Sequence, residues 1–155
     1  MSKPFLFCPT VLGMIAALAW PTAPLAESPL RPDDPKAVEL GARIYAEACA
    51  SCHGAELEGE PDWRSPRADG SRPAPPHDAT GHTWHHDGAT LVALTKGGAA
   101  AVLGPDADVT WGMPLFDEVL TDEEIIAALS YIKSTWPEDI RAVHDEIEGR
   151  AGARP

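Results

Sequence analysis

Apolar positions along this chain fall into a few helical stripes separated by long stretches with no period. Ala37, Gly41, Ile44, Tyr45 and Ala48 recur at spacings of three and four, the repeat of one helix face. Asp34 stands where a cap is wanted and Pro35 suits a first helical turn, so a helix is predicted from Asp33 that delivers the chain to Cys49. A shorter helix is predicted from near Asp87 through Leu91, Val92 and Leu94 to Gly97 and Gly98, a pair that can supply a left-handed terminus. The clearest start lies further on, where Thr121 and Glu124 have the spacing of a capping box and Leu120 and Ile125 that of a hydrophobic staple. That helix presents Ile125, Leu129, Ile132 and Trp136 and ends at Pro137. Ile140, Val143 and Ile147 then predict a final amphipathic helix that fades into a Gly- and Arg-containing tail.

Between these stripes the period is lost. From Ala55 to Gly81 the chain carries Pro61, Pro66, Pro73, Pro75 and Pro76 with Gly59 and Gly70, which reads as one long loop. A loop of that length inside a small domain is unusual unless it wraps something. A second irregular stretch runs from Gly98 to about Leu120. With no internal repeat and no convincing pair of strands, the expected class is all-α.

The first residues differ in composition from the rest. Lys3 precedes a mostly apolar run from Phe5 to Trp20 whose uninterrupted heart is Val11 to Ala19, bracketed by Pro9, Pro21 and Pro24. That heart is shorter than the roughly 20 residues of a spanning helix, so residues 1–26 are expected to be an export signal cleaved after Ala26, with a retained anchor over residues 5–26 as the alternative. A domain over residues 33–137 and a C-terminal helix and tail over 138–155 complete the expected organisation. At 155 residues the chain has room for one core. Its net charge of -12 and lack of a basic stripe exclude a nucleic-acid partner, whose phosphates call for clustered Lys and Arg.

Cys49-Ala50-Ser51-Cys52-His53 has the C-x-x-C-H pattern of c-type haem attachment. Two thiols separated by two residues can reach the two vinyl groups along one side of a porphyrin, and the adjacent imidazole then sits under the iron. A thioredoxin-like pair wants a βαβ context this chain lacks, and a closed zinc site wants more ligands than two cysteines. Loss of the leader removes Cys8, Met1 and Met14, which leaves Met113 as the sole thioether. It stands in Trp111-Gly112-Met113-Pro114-Leu115, where Gly and Pro favour an irregular backbone, and is the candidate sixth ligand.

With these residues in place the chain resembles a class I cytochrome c over roughly Pro35 to Trp136. The resemblance implies an all-α fold with crossed N- and C-terminal helices around one covalent haem c, bounded by the long Pro/Gly-rich loop. It implies that Gly41, Tyr45 and Tyr131 meet where those helices cross, and that a proline carbonyl accepts a hydrogen bond from the proximal imidazole of His53. Pro75 and Pro76 both remain candidates for that carbonyl. The implied function is that of a periplasmic one-electron carrier with His53 and Met113 as axial ligands, monomeric or part of a redox complex. It would meet membrane-bound or periplasmic redox proteins and have no small-molecule substrate and no catalysis of its own.

His77, His82, His85 and His86 form a cluster around Trp84. The favoured expectation is that Trp84 and one or two imidazoles bind haem propionates or satisfy the loop. The alternative is a copper or zinc site on His82, His85 and His86, since imidazole suits both metals. A further alternative makes the chain an electron-transfer subunit of a larger redox enzyme. Among the loop cations Arg64, Arg67 and Arg72, the last is the candidate propionate partner.

Overall fold

The computed structural model describes residues 28–106 and 112–153, and these form helices and turns with no strand. The expected export segment, residues 1–26, lies outside the described residues. Helix α1, Pro35–Ile44, starts as its sequence dictates: the Asp34 side chain accepts from the Lys36 amide at 3.0 Å, and proline fills the first turn. The next turn, Tyr45–Cys49, widens to a π-helical one in which the Ala50 amide donates to the Tyr45 carbonyl. A last helical turn, α2, Ala50–His53, carries the second cysteine and the histidine before Gly54 breaks it.

Helix α3, Gly88–Gly97, opens on Asp87, whose carboxylate accepts from the Thr90 amide at 2.9 Å, and closes on Gly98 at φ 64°. The stretch expected to be irregular after it contains one further turn of helix, α4, Ala100–Leu103, a correction to the sequence reading. Its residues Ala100 to Leu103 are all exposed, so no apolar periodicity announced it. Helix α5, Asp122–Ser134, has the complete capping box between Thr121 and Glu124. Ile125, Leu129, Ile132 and Trp136 enter the core beside Leu30, Tyr45, Leu57, Leu91 and Phe116.

The main packing in the fold is α1 across α5. At their crossing a Cβ on Gly41 would lie 1.9 Å from the Ala127 carbonyl oxygen and 2.8 Å from the Tyr131 Cβ, so only glycine permits the approach. The Tyr45 and Tyr131 rings meet one turn away at 5.6 Å. Gly41→Val is therefore expected to push the helices apart and cost about 1–3 kcal/mol. Thermal melting checks this, and an unchanged melting temperature would show that the crossing is not tight.

Helix α6, Glu138–Gly152, confirms the predicted final helix but corrects its face. Val143 is 40% exposed, whereas His144 is fully buried, flanked by half-buried Ile140 and Ile147. An imidazole takes the central inward position because Trp136 lies across its ring at 5.2 Å and Glu148 approaches its Nε2 at 3.8 Å. Glu148 also ties α6 to the rest of the fold, accepting from the Gly88 amide at 3.0 Å and the Ser28 hydroxyl at 2.5 Å.

Burial, and next the Lys133 ammonium, hold His144 below the ordinary imidazole range against the opposing pull of Glu148, Asp145 and the His86 backbone. A histidine whose folded pKa is depressed takes its proton more readily when unfolded, so its contribution to stability is lost as pH falls below the unfolded value near 6.5. Wild-type protein is expected to lose melting temperature between pH 7 and 5, and His144→Phe to lose less over that interval.

Candidate functional site

The candidate residues lie on three parts of the chain, and the first is the end of the α1 to α2 run. Cys49 and Cys52 are both free thiols, the first half-buried and the second exposed. Burial, then the neighbouring Cys52, push the Cys49 thiol up to about 11. The π-helical turn immediately before Ala50 sets how these thiols emerge from the helix. Wide turns of this kind are frequent at functional sites, and no residue pattern in the sequence announced this one.

His53 is buried, with its Nδ1 2.8 Å from the Pro75 carbonyl oxygen. The structure thereby decides between the two candidate prolines. The Pro76 carbonyl instead lies against Gly81 and 3.5 Å from the Thr83 hydroxyl. With Nδ1 donating to Pro75, the ring keeps Nε2 as its free lone pair, the form an axial ligand needs. Burial draws the His53 pKa down, while the Pro75 carbonyl and Glu60 act in the opposite direction.

The Pro75 carbonyl is positioned by residues that the sequence reading passed over. The segment after His53 folds back on the proline-rich loop: the Gly59 amide donates to the His53 carbonyl at 2.7 Å and the Glu60 amide to Ala74 at 2.8 Å. Gly59 sits at φ 68° with space for no side chain, since a Cβ there would lie 2.4 Å from the Pro76 nitrogen. The Glu60 carboxylate accepts from the Ala74 amide at 2.6 Å and, through both of its oxygens, from Arg67 Nη2 at 2.7 and 2.8 Å. These contacts hold the Glu60 carboxyl below the usual range, with the Ala74 amide the largest cause. Glu60 was hidden because a lone acidic residue in a proline-rich loop has the appearance of ordinary solvation.

Met113 occupies the third part, half-buried and packed against the core. Phe116, three residues on, anchors this stretch by burying its ring and donating its amide to the Thr95 carbonyl of α3 at 3.2 Å. A Cβ on Gly112 would lie 3.3 Å from the Arg72 carbonyl oxygen, which places the backbone before Met113 against the proline-rich loop.

The histidine cluster disperses into separate contacts. His82 stacks on Trp63 at 5.3 Å, His85 stacks on Trp84 at 3.7 Å, and His82 meets His86 edge to face at 5.5 Å. No group of three or more His, Cys, Asp or Glu side chains among the described residues is disposed to hold a metal ion. His77 lies apart from these rings, stacked on His53 at 4.0 Å. Arg72 is exposed and donates to the Arg64 carbonyl at 3.2 Å, Arg64 lies over the Trp63 ring, and Arg67 is committed to Glu60.

These donors suit a covalently attached haem. The two thiols stand free, the His53 imidazole is held through Nδ1 with Nε2 left over, and the buried Trp84 Nε1 has no hydrogen-bond partner. A buried indole N–H without an acceptor costs about 1–3 kcal/mol, and a propionate carboxylate is an acceptor that would remove the penalty. No helix among the described residues is long and apolar enough to cross a membrane.

The sequence model of the family described as Cytochrome c matches residues 38–136. No curated protein and no solved structure matches the chain.

Proposed function

This chain belongs to the cytochrome c family, and from that premise we propose that it is an exported one-electron carrier whose haem c is ligated by His53 and Met113. Family membership brings covalent haem c, typically one per domain, and an electron-transfer role. The haem supplies reversible one-electron chemistry when bound. The chain's own residues do the rest. Cys49 and Cys52 would tether the group, each S–H adding across a vinyl C=C so that sulfur takes one carbon as a thioether and the hydrogen goes to the other. His53 offers Nε2 because Pro75 holds Nδ1. Met113, as the softer second ligand, raises the potential relative to a second imidazole and leaves no open position for substrate chemistry. Trp84 offers its free indole N–H to a propionate.

The observation that carries this reading is the 2.8 Å contact from His53 Nδ1 to Pro75 in the residue that completes the C-x-x-C-H motif. Residues 1–26 fit an export signal, which supports a periplasmic location for the working domain, residues 33–137 and the helix after it, with redox proteins as partners. Optical spectra of the purified protein, oxidised and reduced, with and without carbon monoxide, test the assignment. A low-spin c-type spectrum indifferent to carbon monoxide is expected. A high-spin spectrum that responds to the gas would place an open iron position, and ligand chemistry, where we place a carrier.

A further inference from the structure

The proximal imidazole has a neighbour that neither the haem motif nor the family match assigns a role. His77 lies parallel to His53, with ring centroids 4.0 Å apart and planes inclined by 22°. Its ring and backbone are held from four sides. The His77 amide donates to the Leu57 carbonyl at 2.8 Å, and the His77 carbonyl accepts from Trp136 Nε1 at 2.7 Å. Its Nδ1 is 2.8 Å from the hydroxyl of buried Thr83, and the Tyr45 ring meets it edge-on at 6.3 Å. Leu57 makes its part of this clamp in the left-handed region, at φ 68°, a conformation a leucine adopts only where its surroundings impose it.

We propose that His77 is a positioning residue for the proximal ligand, its clamped ring acting as a flat wall that sets the orientation of the His53 imidazole plane. This rests on the reading of His53 as an axial haem ligand. A hydrogen bond to a carbonyl tolerates a broad range of angles, so the Pro75 contact alone leaves the His53 ring free to rock. A planar neighbour at van der Waals spacing does not. Stacking is also compatible with ligation, because the nitrogen lone pair of an imidazole lies in the ring plane and a ring on its face covers neither nitrogen. The wall is tied to the global fold through Trp136, so the end of α5 and the axial ligand are linked through one residue.

The orientation of an axial imidazole plane governs the magnetic anisotropy of a low-spin ferric haem, which makes the proposal testable without an activity assay. The full-length holoprotein is compared with His77→Phe, which keeps a flat ring, and with His77→Leu, which fills similar space without one. The phenylalanine variant is expected to retain the wild-type electron paramagnetic resonance g-values, and the leucine variant to shift and broaden them. His77→Ile, which likewise removes the flat ring, is expected to shift and broaden the same signal, and it decides the matter should the leucine variant fail to mature. Wild-type g-values in His77→Leu or His77→Ile, or a shift in His77→Phe equal to that in His77→Leu, would overturn the role. Failure of the underlying reading has a different signature, a wild-type protein with no covalent haem and no low-spin signal, and it removes both.

Discussion

Replacing Cys49 and Cys52 together by serine is expected to abolish covalent haem completely and to leave a chain that does not hold its fold. The chemistry follows from the cysteine inventory: the sequence has one further cysteine, Cys8, and it falls in the segment expected to be an export signal. The stability consequence follows from the core. Its buried apolar residues come from α1, α3, α5 and single positions in long loops, and the proline-rich loop has no helix or strand of its own. A domain with so thin a core depends on its cofactor as a staple. Each single substitution leaves one possible linkage, so partial haem staining is expected from either. Haem-stained denaturing gels and far-ultraviolet circular dichroism read the two effects. Covalent haem in the double variant would refute the attachment site.

Changing Met113 is expected to have the largest effect on function with the fold retained. Met113→Ala should open the sixth position, so that carbon monoxide binds the reduced protein, and should remove the weak sulfur-to-iron band at the red edge of the ferric spectrum. Met113→His should restore six-coordination but lower the potential, because imidazole stabilises the ferric state more than a thioether does. A fall on the order of 0.1 V is reasonable against the roughly 0.8 V that axial ligands span. The anchoring of this stretch at Phe116 predicts that α3 and α5 remain in place in both variants. If the alanine variant keeps the native spectrum and its indifference to carbon monoxide, a different residue holds the iron and Met113 is a core side chain.

Local chemistry made much of this protein legible from its sequence. A cap, a proline in the first turn and a stripe at helical spacing determined α1, because each acts within a few residues of itself. The capping box at Thr121 and Glu124 did the same for α5, and the haem motif is contiguous. The resemblance of Gly41, Tyr45 and Tyr131 to a family helix crossing proved sound, since backbone contact at Ala127 leaves no volume for a side chain at Gly41.

What only the tertiary structure decided are the features whose cause lies far away in the chain. Pro75 was chosen over Pro76 by the fold-back of residues 57–60 on 74–78, and Glu60, hydrogen-bonded across that fold-back, carries no local signature. The π-helical turn that ends on Cys49 has no propensity code. His144 took the buried face of α6 where Val143 was expected, because Trp136 and Glu148 line that face. His77 left the cluster of imidazoles to which its sequence neighbours assigned it, since the Leu57 carbonyl, Trp136 and Thr83 fix it against His53. Helices and motifs are written in short-range interactions and can be read from sequence, whereas the partner of a loop residue is set by closing the chain on itself.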